Sequence, residues 1–465
     1  MAALDFPPSP VVGDKYPVTP VPGTPQYTWD GEKWTTTGAQ VTSASPSNNL
    51  PLMDATPAVP GVGTQYSRED HVHPTDTSRA ADTAVLKKVS QSLTVTEQTD
   101  VRKNVYAAPF DALGWSGMQI NGNAVVSQEV GTAGVSFTAN GSLRPCDAWQ
   151  VVVNQTAGAV SFLALQQATG GPPGHPSYLK LNANNSNFTA ATTGDQVYLR
   201  QLIEGYRVAR LGWGAAGASP LSYGMQFYSP VVGTMFVRLA NGAGNRLYYQ
   251  EHAVVVGWNW LTATIPGDTS GTWVIDNGGG LYFDIFVGGK ETAPATTGSW
   301  GTTLKVQTTN STNLMGTAGN AVGVTGLVVL PGIEAPSAAR SPLIMRPFDQ
   351  ELITCQRYWQ KSYPYPTAPG AVNYPQNSIH GIAITPITIA TNFAFKTRMR
   401  ATPTLVFYAY SGNAGVWSAT ATNGDTAGVS AGVFSGDANL GIVASTGGLV
   451  QGAGYYGHFT ADARL

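Results

Sequence analysis

The chain has 465 residues, a formal net charge of −2 and a charged fraction of only 11%. It is long enough for two or three domains, and its 42% hydrophobic residues can supply their cores. Nucleic acid is not expected as a partner, because phosphate neutralisation needs a basic surface and no Lys or Arg cluster is visible. A surface this poor in charge is solvated by hydroxyls, amides and backbone, which is typical of β-rich structural proteins.

The amino-terminal residues carry no recognisable targeting signal. Residues 1–8 have neither the basic segment nor the apolar segment of a signal peptide. No apolar run approaches the roughly 18 residues that a membrane-spanning helix needs. We therefore expect a protein that is made in a cytoplasm and does not insert into a membrane. Cys146 and Cys355 lie far apart and lack a Cys-x-x-Cys partner, so both are expected to be buried free thiols.

Residues 1–60 are rich in proline, which fixes the backbone repeatedly and favours an extended arm over a folded core. Within this arm, residues 27–34 predict a β-hairpin with an Asp-Gly turn. A lone hairpin is only marginally stable in water. We therefore expect Trp29 and Trp34 to pack against a neighbouring chain or a larger particle, to which the arm would attach.

Residues 61–109 contain a charged island at residues 67–76, in which His71 and His73 are one residue apart. On an extended backbone, side chains at i and i+2 point to the same side, so both imidazoles can reach one point. Three identical chains around an axis would offer six imidazoles, enough for an octahedral transition-metal site. We expect iron, zinc or nickel on that axis. Solvated loop histidines, whose acidic neighbours pair with nearby arginines, are the alternative.

A short helix is predicted over residues 94–105. Thr94 and Glu97 have the spacing of a capping box, in which each side chain satisfies the backbone N–H of the other residue. Val101 and Val105 then form a narrow apolar stripe. Packing three copies about an axis would bury this stripe, so residues 61–109 are interpreted as a trimeric neck.

From residue 110 onward the apolar period is two. Alternating apolar and polar residues over 221–227 and 281–287 predict half-buried strands. Asn-Gly turns recur between such segments, and no long helical pattern separates them. The fold class is therefore mainly β, with an antiparallel, jelly-roll-like sandwich over residues 110–345.

Four prolines between residues 331 and 347 predict a domain boundary. After it, residues 349–359 predict a short helix with Leu352, Cys355 and Trp359 on its inner face. Strand patterns then resume and continue to the carboxyl terminus. Residues 346–465 are therefore expected to form a second β-sandwich at the tip of the molecule.

Some aromatic residues of the 110–345 domain are candidates for binding a ligand. Alternation along a strand puts Trp258 and Trp260 on one face and Asn259 on the other. If the tryptophan face is outward, it forms two flat platforms that can stack on sugar rings, while Asn259 or nearby amides fix the orientation. If it is inward, the pair belongs to the core. Tyr228 is a further candidate for sugar contact.

The chemistry of an enzyme is hard to find in the sequence. Gly428–Gly432 matches the G-x-S-x-G pattern, with Asp437 and His458 following, but its Gly-rich flanks do not predict the strand and helix of a nucleophile elbow. The carboxylates considered for a glycosidase pair are Asp268, Asp276, Asp284 and Glu291. Several of these adjoin Gly or Asn, where a turn-forming Asp is ordinary. We therefore predict that the chain is not an enzyme and holds no cofactor apart from the axial metal.

An ordered set of motifs resembles those of bacteriophage tail fibres. The His-x-His island and residues 92–98 are similar to fibre necks, residues 110–122 look like the opening of a large head domain, and residues 351–359 resemble the start of a terminal domain. Further matches to the jelly-roll strands of that head domain, which in the family is similar to carbohydrate-binding modules, are Gly205–Arg207, Leu211–Gly214, Ile265–Asp268 and Gly271–Trp273.

The resemblance implies a homotrimeric structural protein of the virion, made in the host cytoplasm and located in the phage tail. Its partners would be itself, tail or baseplate proteins bound through residues 1–60, and a host surface polysaccharide or lipopolysaccharide bound by the β domains. Two alternatives stay open. One is a virion-associated polysaccharide depolymerase, although the short repeats of a parallel β-helix are not found. The other is a collar or baseplate decoration fibre without receptor binding.

Overall fold

The computed structural model describes residues 5–37, 94–104 and 117–465, apart from short gaps at 139, 157–160, 185–187, 189–191, 335–336 and 433–434. The chain divides into two compact units, residues 1–92 and residues 93–465. The secondary structure is mainly β with several antiparallel sheets, which confirms the predicted fold class at that level. No helix among these described ranges is both long and apolar enough to cross a membrane.

The first unit contains the predicted hairpin. Strands β2 and β3 pair Trp29 with Trp34. The Asp30 carboxylate accepts the backbone N–H groups of Glu32 at 2.9 Å and Lys33 at 2.8 Å, which fixes the turn. A third strand, β1, pairs with β2. The strands are β1 Lys15–Tyr16, β2 Gln26–Trp29 and β3 Trp34–Thr37.

The sequence predicts a lone hairpin, but in the structure neighbouring residues add a small aromatic cluster to it. Phe6 stacks on Trp34 with ring centroids 5.1 Å apart and contacts Tyr27 edge-on at 5.2 Å. Tyr16 lies 5.4 Å from Phe6, and Trp29 lies 5.6 Å from Trp34. Part of the predicted extended arm is therefore a three-stranded sheet with its own aromatic contacts.

The second unit begins with the predicted short helix, α1, at Val95–Asn104. The backbone N–H of Thr94 donates to Glu97 Oε2 at 2.8 Å, and the Glu97 N–H donates to Thr94 Oγ1 at 3.3 Å, which confirms the capping box. Bonds from the Thr94 hydroxyl and backbone lower the pKa of Glu97. Arg102 forms an ion pair with Glu334 at 2.6 Å, so the helix is tied to the segment after the sandwich.

A six-stranded antiparallel sheet forms the first layer of a β-sandwich. In its strand β10 the predicted inward residues Leu221, Tyr223, Met225 and Phe227 are fully buried, but Ser222 and Gly224 between them are buried as well, so the strand is half-buried only toward its carboxyl-terminal end. The sheet order is β13-β10-β16-β8-β7-β4. Its strands are β4 Val135–Phe137, β7 Phe162–Gln167, β8 Tyr178–Ala183, β10 Leu221–Ser229, β13 Gly257–Ile265 and β16 Ala321–Pro331.

A seven-stranded antiparallel sheet forms the second layer. Alternate residues of its strand β14, such as Phe283, pack inward, and the rings of Tyr223 and Phe283 meet across the core at 4.9 Å. The order is β15-β12-β11-β14-β9-β6-β5. Its strands are β5 Gly141–Leu143, β6 Trp149–Asn154, β9 Gln196–Glu204, β11 Gly233–Asn241, β12 Leu247–Val254, β14 Gly279–Gly289 and β15 Trp300–Gly301.

The outer face of β14 is buried as well, which differs from the half-buried strand that its alternation predicts. Phe286 is 1% exposed and stacks on Phe236 at 4.5 Å and on Tyr198 at 4.6 Å. Ala295 and Val306 belong to the same cluster, so the chain between β14 and β16 covers this face.

Residues 359–462 form one eight-stranded antiparallel sheet rather than the two separate sheets of the predicted sandwich. The long strand β24 explains this: its carboxyl-terminal half pairs with β17 and β20, and its amino-terminal half with β18 and β21. The strands are β17 Trp359–Lys361, β18 Ile379–Thr385, β19 Thr388–Ala394, β20 Thr404–Tyr408, β21 Ser418–Ala419, β22 Val429–Ala431, β23 Asn439–Ser445 and β24 Gly454–Asp462.

Short helices connect these sheets: α2 Gly205–Val208, a 3₁₀ turn at Ala209–Leu211, α3 Ser341–Ile344 and α4 Phe348–Gln356. The helix predicted over 349–359 thus ends earlier, because Trp359 already begins β17. Cys355 and Trp359 are buried as expected, and Cys146 and Cys355 are both buried free thiols. The division into domains at residue 345 stays a prediction.

Candidate functional site

Trp258 and Trp260 lie on the outer face of the six-stranded sheet. Their strand, β13, is an edge strand paired with β10. Met225 and Leu261 form one cross-strand pair, and both are buried in the core. Tyr228 and Trp258 form another pair, three residues away on each strand. Because successive side chains alternate between the faces of a sheet, these two lie on the other face. The two tryptophans are half-buried there, which is the outward arrangement of the two that the sequence left open.

Trp258 is held between two tyrosine rings. Its ring centroid is 5.6 Å from that of Tyr228 at an interplanar angle of 72°, and 5.1 Å from that of Tyr178 at 89°. Such edge-to-face pairs contribute about 0.5–1.5 kcal/mol each beyond their buried area. The Trp258 indole N–H also donates to the Gly170 carbonyl at 3.3 Å. The indole is therefore fixed in place before any ligand binds.

Glycines under the rings let them approach the sheet backbone. A Cβ at Gly224 would lie 2.5 Å from Trp260 Cζ2. A Cβ at Gly323 would lie 2.9 Å from Tyr178 Cδ2 and 3.3 Å from Trp258 Cη2. The rings of Trp260, Tyr178 and Trp258 thus sit low on the face, where a larger residue at either glycine would displace them. We call the set Tyr178, Tyr228, Trp258 and Trp260 the aromatic platform.

Sequence reasoning missed Tyr178. This residue begins β8, which is separated from β10 by β16 in the sheet. Its contact with Trp258 depends on that strand order, and no short-range pattern in the sequence reports it. Burial and, to a smaller extent, the neighbouring Tyr228 hydroxyl raise the pKa of Tyr178.

Asn259 lies on the opposite face and is engaged by the turn before β13. Its Oδ1 accepts the Val255 N–H at 3.0 Å, and its Nδ2 donates to the carbonyls of Val255 at 2.9 Å and Gly257 at 2.8 Å. These bonds fix the chain reversal that leads into Trp258. Asn259 therefore supports the platform from behind and is not positioned to contact a sugar on it.

Polar side chains border the platform on the same face. Gln226 is the cross-strand partner of Trp260, and Lys180 follows Tyr178 by two residues on β8. Both are half-buried. Flat apolar rings with amide and ammonium groups at their margin can stack on the apolar faces of sugars and bind the sugar hydroxyls.

Two of the four predicted carboxylates are buried in ion pairs. Asp284 is fully buried in the seven-stranded sheet, where it accepts Arg200 Nε at 2.6 Å and Arg238 Nη2 at 2.7 Å. Asp268 is 1% exposed and bonds Arg246 through both oxygens, at 2.7 Å and 2.5 Å. Carboxylates that are held this way stabilise the fold and are not accessible to a substrate.

The other two carboxylates also have local roles. Asp276 Oδ1 accepts the Gly278 N–H at 2.8 Å within its own turn, which is the turn role expected beside glycine. Glu291 lies 3.9 Å from Lys305 Nζ. Asp276 and Glu291 thus each have a local partner.

The G-x-S-x-G segment at Gly428–Gly432 does not form a nucleophile elbow. Ser430 lies within β22 and pairs with β23 rather than occupying a turn between a strand and a helix. His458 is 1% exposed and bonds Ser362 Oγ at 2.9 Å through Nδ1, while Asp437 pairs with an arginine at 2.7 Å. The three residues therefore have separate structural partners.

The predicted metal ligands, His71 and His73, lie outside the described residues, so the axial metal stays a prediction. Within the described ranges, no group of three or more His, Cys, Asp and Glu side chains could hold a metal ion.

The chain matches no protein-family model and no curated protein. Among solved structures it is similar to the arabinose-bound α-L-arabinofuranosidase MgGH51, with 11% identity, 56% of this chain and 36% of that chain covered, and a TM-score of 0.25. It is also similar to the enzymatically active domain of tailspike protein 4 of bacteriophage CBA120, with 9% identity, 40% and 19% coverage, and a TM-score of 0.22. A family 11 carbohydrate-binding module of Clostridium thermocellum matches at 7% identity, 43% and 99% coverage, and a TM-score of 0.23.

The chain thus spans about a third or less of the two enzymes among these structures. The prediction that the chain is not an enzyme is wrong. The matched structures include the two enzymes above, a xylanase and an exo-β-agarase. With identities and TM-scores this low, the function of this chain is inferred from its own residues.

Proposed function

We propose that this chain is a bacteriophage tail fibre whose aromatic platform binds a polysaccharide on the host surface. The observation that carries the proposal is Trp258, which faces outward and is held edge-on between Tyr178 and Tyr228 beside Trp260. Aromatic rings that are kept half-exposed on a sheet face do not contribute to the core. Their fixed orientation lowers the entropy that a flexible side chain would lose on binding a ligand.

The polar groups at the margin favour a saccharide over an apolar partner. The Gln226 amide lies beside Trp260, and the Tyr178 and Tyr228 hydroxyls belong to the platform itself. A sugar ring needs this combination, because it has apolar C–H faces and a polar equator. Weak binding at one platform suffices in a fibre, since several copies on one particle raise the avidity through effective concentration.

The fibre part of the proposal is an assembly of three chains that attaches to the tail or baseplate through residues 1–60. We expect native mass spectrometry of the chain, purified without a His-tag, to give a trimer carrying one transition-metal ion held by His71 and His73. The ten-residue helix α1 is short and has an ion pair with Glu334, and packing against further copies of the helix would stabilise it more. A stable monomer would contradict the assembly, and a metal-free trimer would contradict the metal site alone.

Cleavage of the bound polysaccharide is the second candidate function. Enzymatic activity is named for the tailspike domain that the chain matches, and the glycoside hydrolases among the matched structures act on saccharides. Binding and cleavage would use the same platform, so both are tested by incubating the chain with the same polysaccharide. Release of reducing ends from a bound polysaccharide would favour a depolymerase, and stable capture without release would favour a receptor-binding fibre.

We expect Trp258→Ala and Trp260→Ala to weaken binding to purified bacterial capsular and O-antigen polysaccharides by about fivefold or more each. Loss of one stacked ring removes on the order of 1 kcal/mol or more, and 1.4 kcal/mol corresponds to a factor of ten. The measurement is a polysaccharide array followed by interferometry on the glycans that the wild-type chain binds.

Tyr206→Ala is the matched control, because this aromatic side chain is 62% exposed on α2, next to the seven-stranded sheet. It should bind like the wild type, and all variants should keep the wild-type melting temperature. Unchanged binding by both tryptophan variants would remove the platform as the site. Absence of wild-type binding to every surface glycan would support the decoration-fibre alternative.

A further inference from the structure

The six-stranded sheet is almost free of charge. Within the strand bounds given above, none of its six strands contains Asp or Glu, and Lys180 is their single charged residue. The seven-stranded sheet differs, because its arginines Arg200 and Arg238 are both neutralised by Asp284. A single cation on an otherwise neutral sheet therefore needs an explanation.

Lys180 lies on the same face as the aromatic platform. Its neighbours Leu179 and Leu181 are fully buried in the core, so the alternation of β8 places Lys180 outward with Tyr178. Across the sheet Lys180 pairs with Gly323, whose own partner is Tyr228. Lys180 thus lies two residues from Tyr178 on the same strand and two strands away from Tyr228, at the margin of the platform.

No acidic side chain of the described residues forms an ion pair with Lys180. Edge strands often carry lysine to prevent pairing with another sheet, but β8 lies inside this sheet between β16 and β7. Protection of an edge therefore does not account for Lys180. An ammonium group beside stacking rings is instead suited to an anion carried by the stacked molecule.

We infer that the platform selects an acidic polysaccharide, in which one sugar stacks on Trp258 and Tyr228 while its negative charge binds the Lys180 ammonium group. The inference rests on the proposed function and names its ligand class. A uronic acid carboxylate and a phosphate substituent share the required chemistry. The absence of Asp and Glu from these strands also removes the repulsion that an acidic glycan would meet on a mixed-charge face.

The test uses the acidic polysaccharides that the wild-type full chain binds on the array, each before and after chemical neutralisation. Carboxyl groups are reduced to alcohols in one arm, and phosphate is removed with hydrofluoric acid in the other. We expect Lys180→Gln to bind the native glycan about tenfold or more weakly, because a hydrogen bond to a charged group is lost. Lys180→Arg should keep most of the binding, and raised salt should weaken the wild type more than Lys180→Gln.

Lys290→Gln is the matched control, because it removes the same charge from an exposed lysine after β14. It should bind like the wild type. Wild-type binding that survives both neutralisations, or native-glycan binding by Lys180→Gln equal to the wild type, would overturn the inference. If Trp258→Ala abolishes binding in that case, the proposed function stands without it. If the wild type binds no glycan at all, both fall together.

Discussion

Asp284→Ala is expected to lower the free energy of unfolding of the sandwich by about 3–5 kcal/mol. The Asp284 side chain is fully buried, and the Arg238 side chain on the neighbouring strand is 4% exposed. Arg200, whose side chain is 17% exposed, is a second partner at 2.6 Å, so one carboxylate neutralises two guanidinium groups. Removing it leaves both positive charges in a place that water reaches poorly. The loss exceeds that of an ordinary salt bridge for this reason.

Urea unfolding followed by tryptophan fluorescence measures this loss, with circular dichroism as a second probe of the same transition. Asp437→Ala is the matched control, because it breaks an Asp–Arg pair of the same 2.7 Å length whose Arg398 side chain is 73% exposed. Its effect should stay within about 1 kcal/mol, since exposed pairs contribute little. Equal urea midpoints for Asp284→Ala and Asp437→Ala would show that burial of the ion pairs between Asp284 and its two arginines does not increase their contribution to stability.

Local patterns were sufficient to predict the elements whose stabilising contacts are also local. The capping box of α1 needs only Thr94 and Glu97, three residues apart. The turn of the hairpin needs only Asp30 and the two residues whose backbone N–H groups donate to its carboxylate, whereas the contacts with Phe6 and β1 have no local signal. The large apolar residues of strand β10 that fill the core recur at every second position, so its period of two is visible in the sequence.

The site could be predicted only in part, because its decisive contacts join distant strands. Alternation shows that Trp258 and Trp260 share a face, but only the pairing of Leu261 with Met225 shows that this face is outward. Tyr178 reaches Trp258 through a strand order that leaves no local signal. The role of Asp284 is hidden for the same reason, since its arginine partners come from β9 and β11.

The buried side chain of His252 makes the free energy of unfolding depend on pH. His252 is 9% exposed between the two layers of the sandwich, and its Nε2 lies 2.6 Å from the Tyr223 hydroxyl. Burial lowers the pKa of His252 to about 4. Burial also raises the pKa of Asp147 to about 6, which gives a pH dependence of the opposite sign. The contribution of His252 is therefore measured as the difference in stability between the wild type and a His252 variant at each pH, and not from the stability of the wild type alone.

We expect the wild type to lose about 3 kcal/mol of stability relative to His252→Gln as the pH falls from 7 to 4. In the unfolded chain a histidine is protonated below about pH 6.5, whereas in the folded chain His252 is protonated only below about pH 4. Between these values the unfolded state binds more protons, so acid favours unfolding. Glutamine can still bond the Tyr223 hydroxyl but does not titrate. His380→Gln, at an exposed position of β18, is the control and should follow the wild type. Parallel profiles of wild type and His252→Gln, from thermal unfolding at each pH, would show that the buried imidazole is protonated as readily in the folded chain as in water.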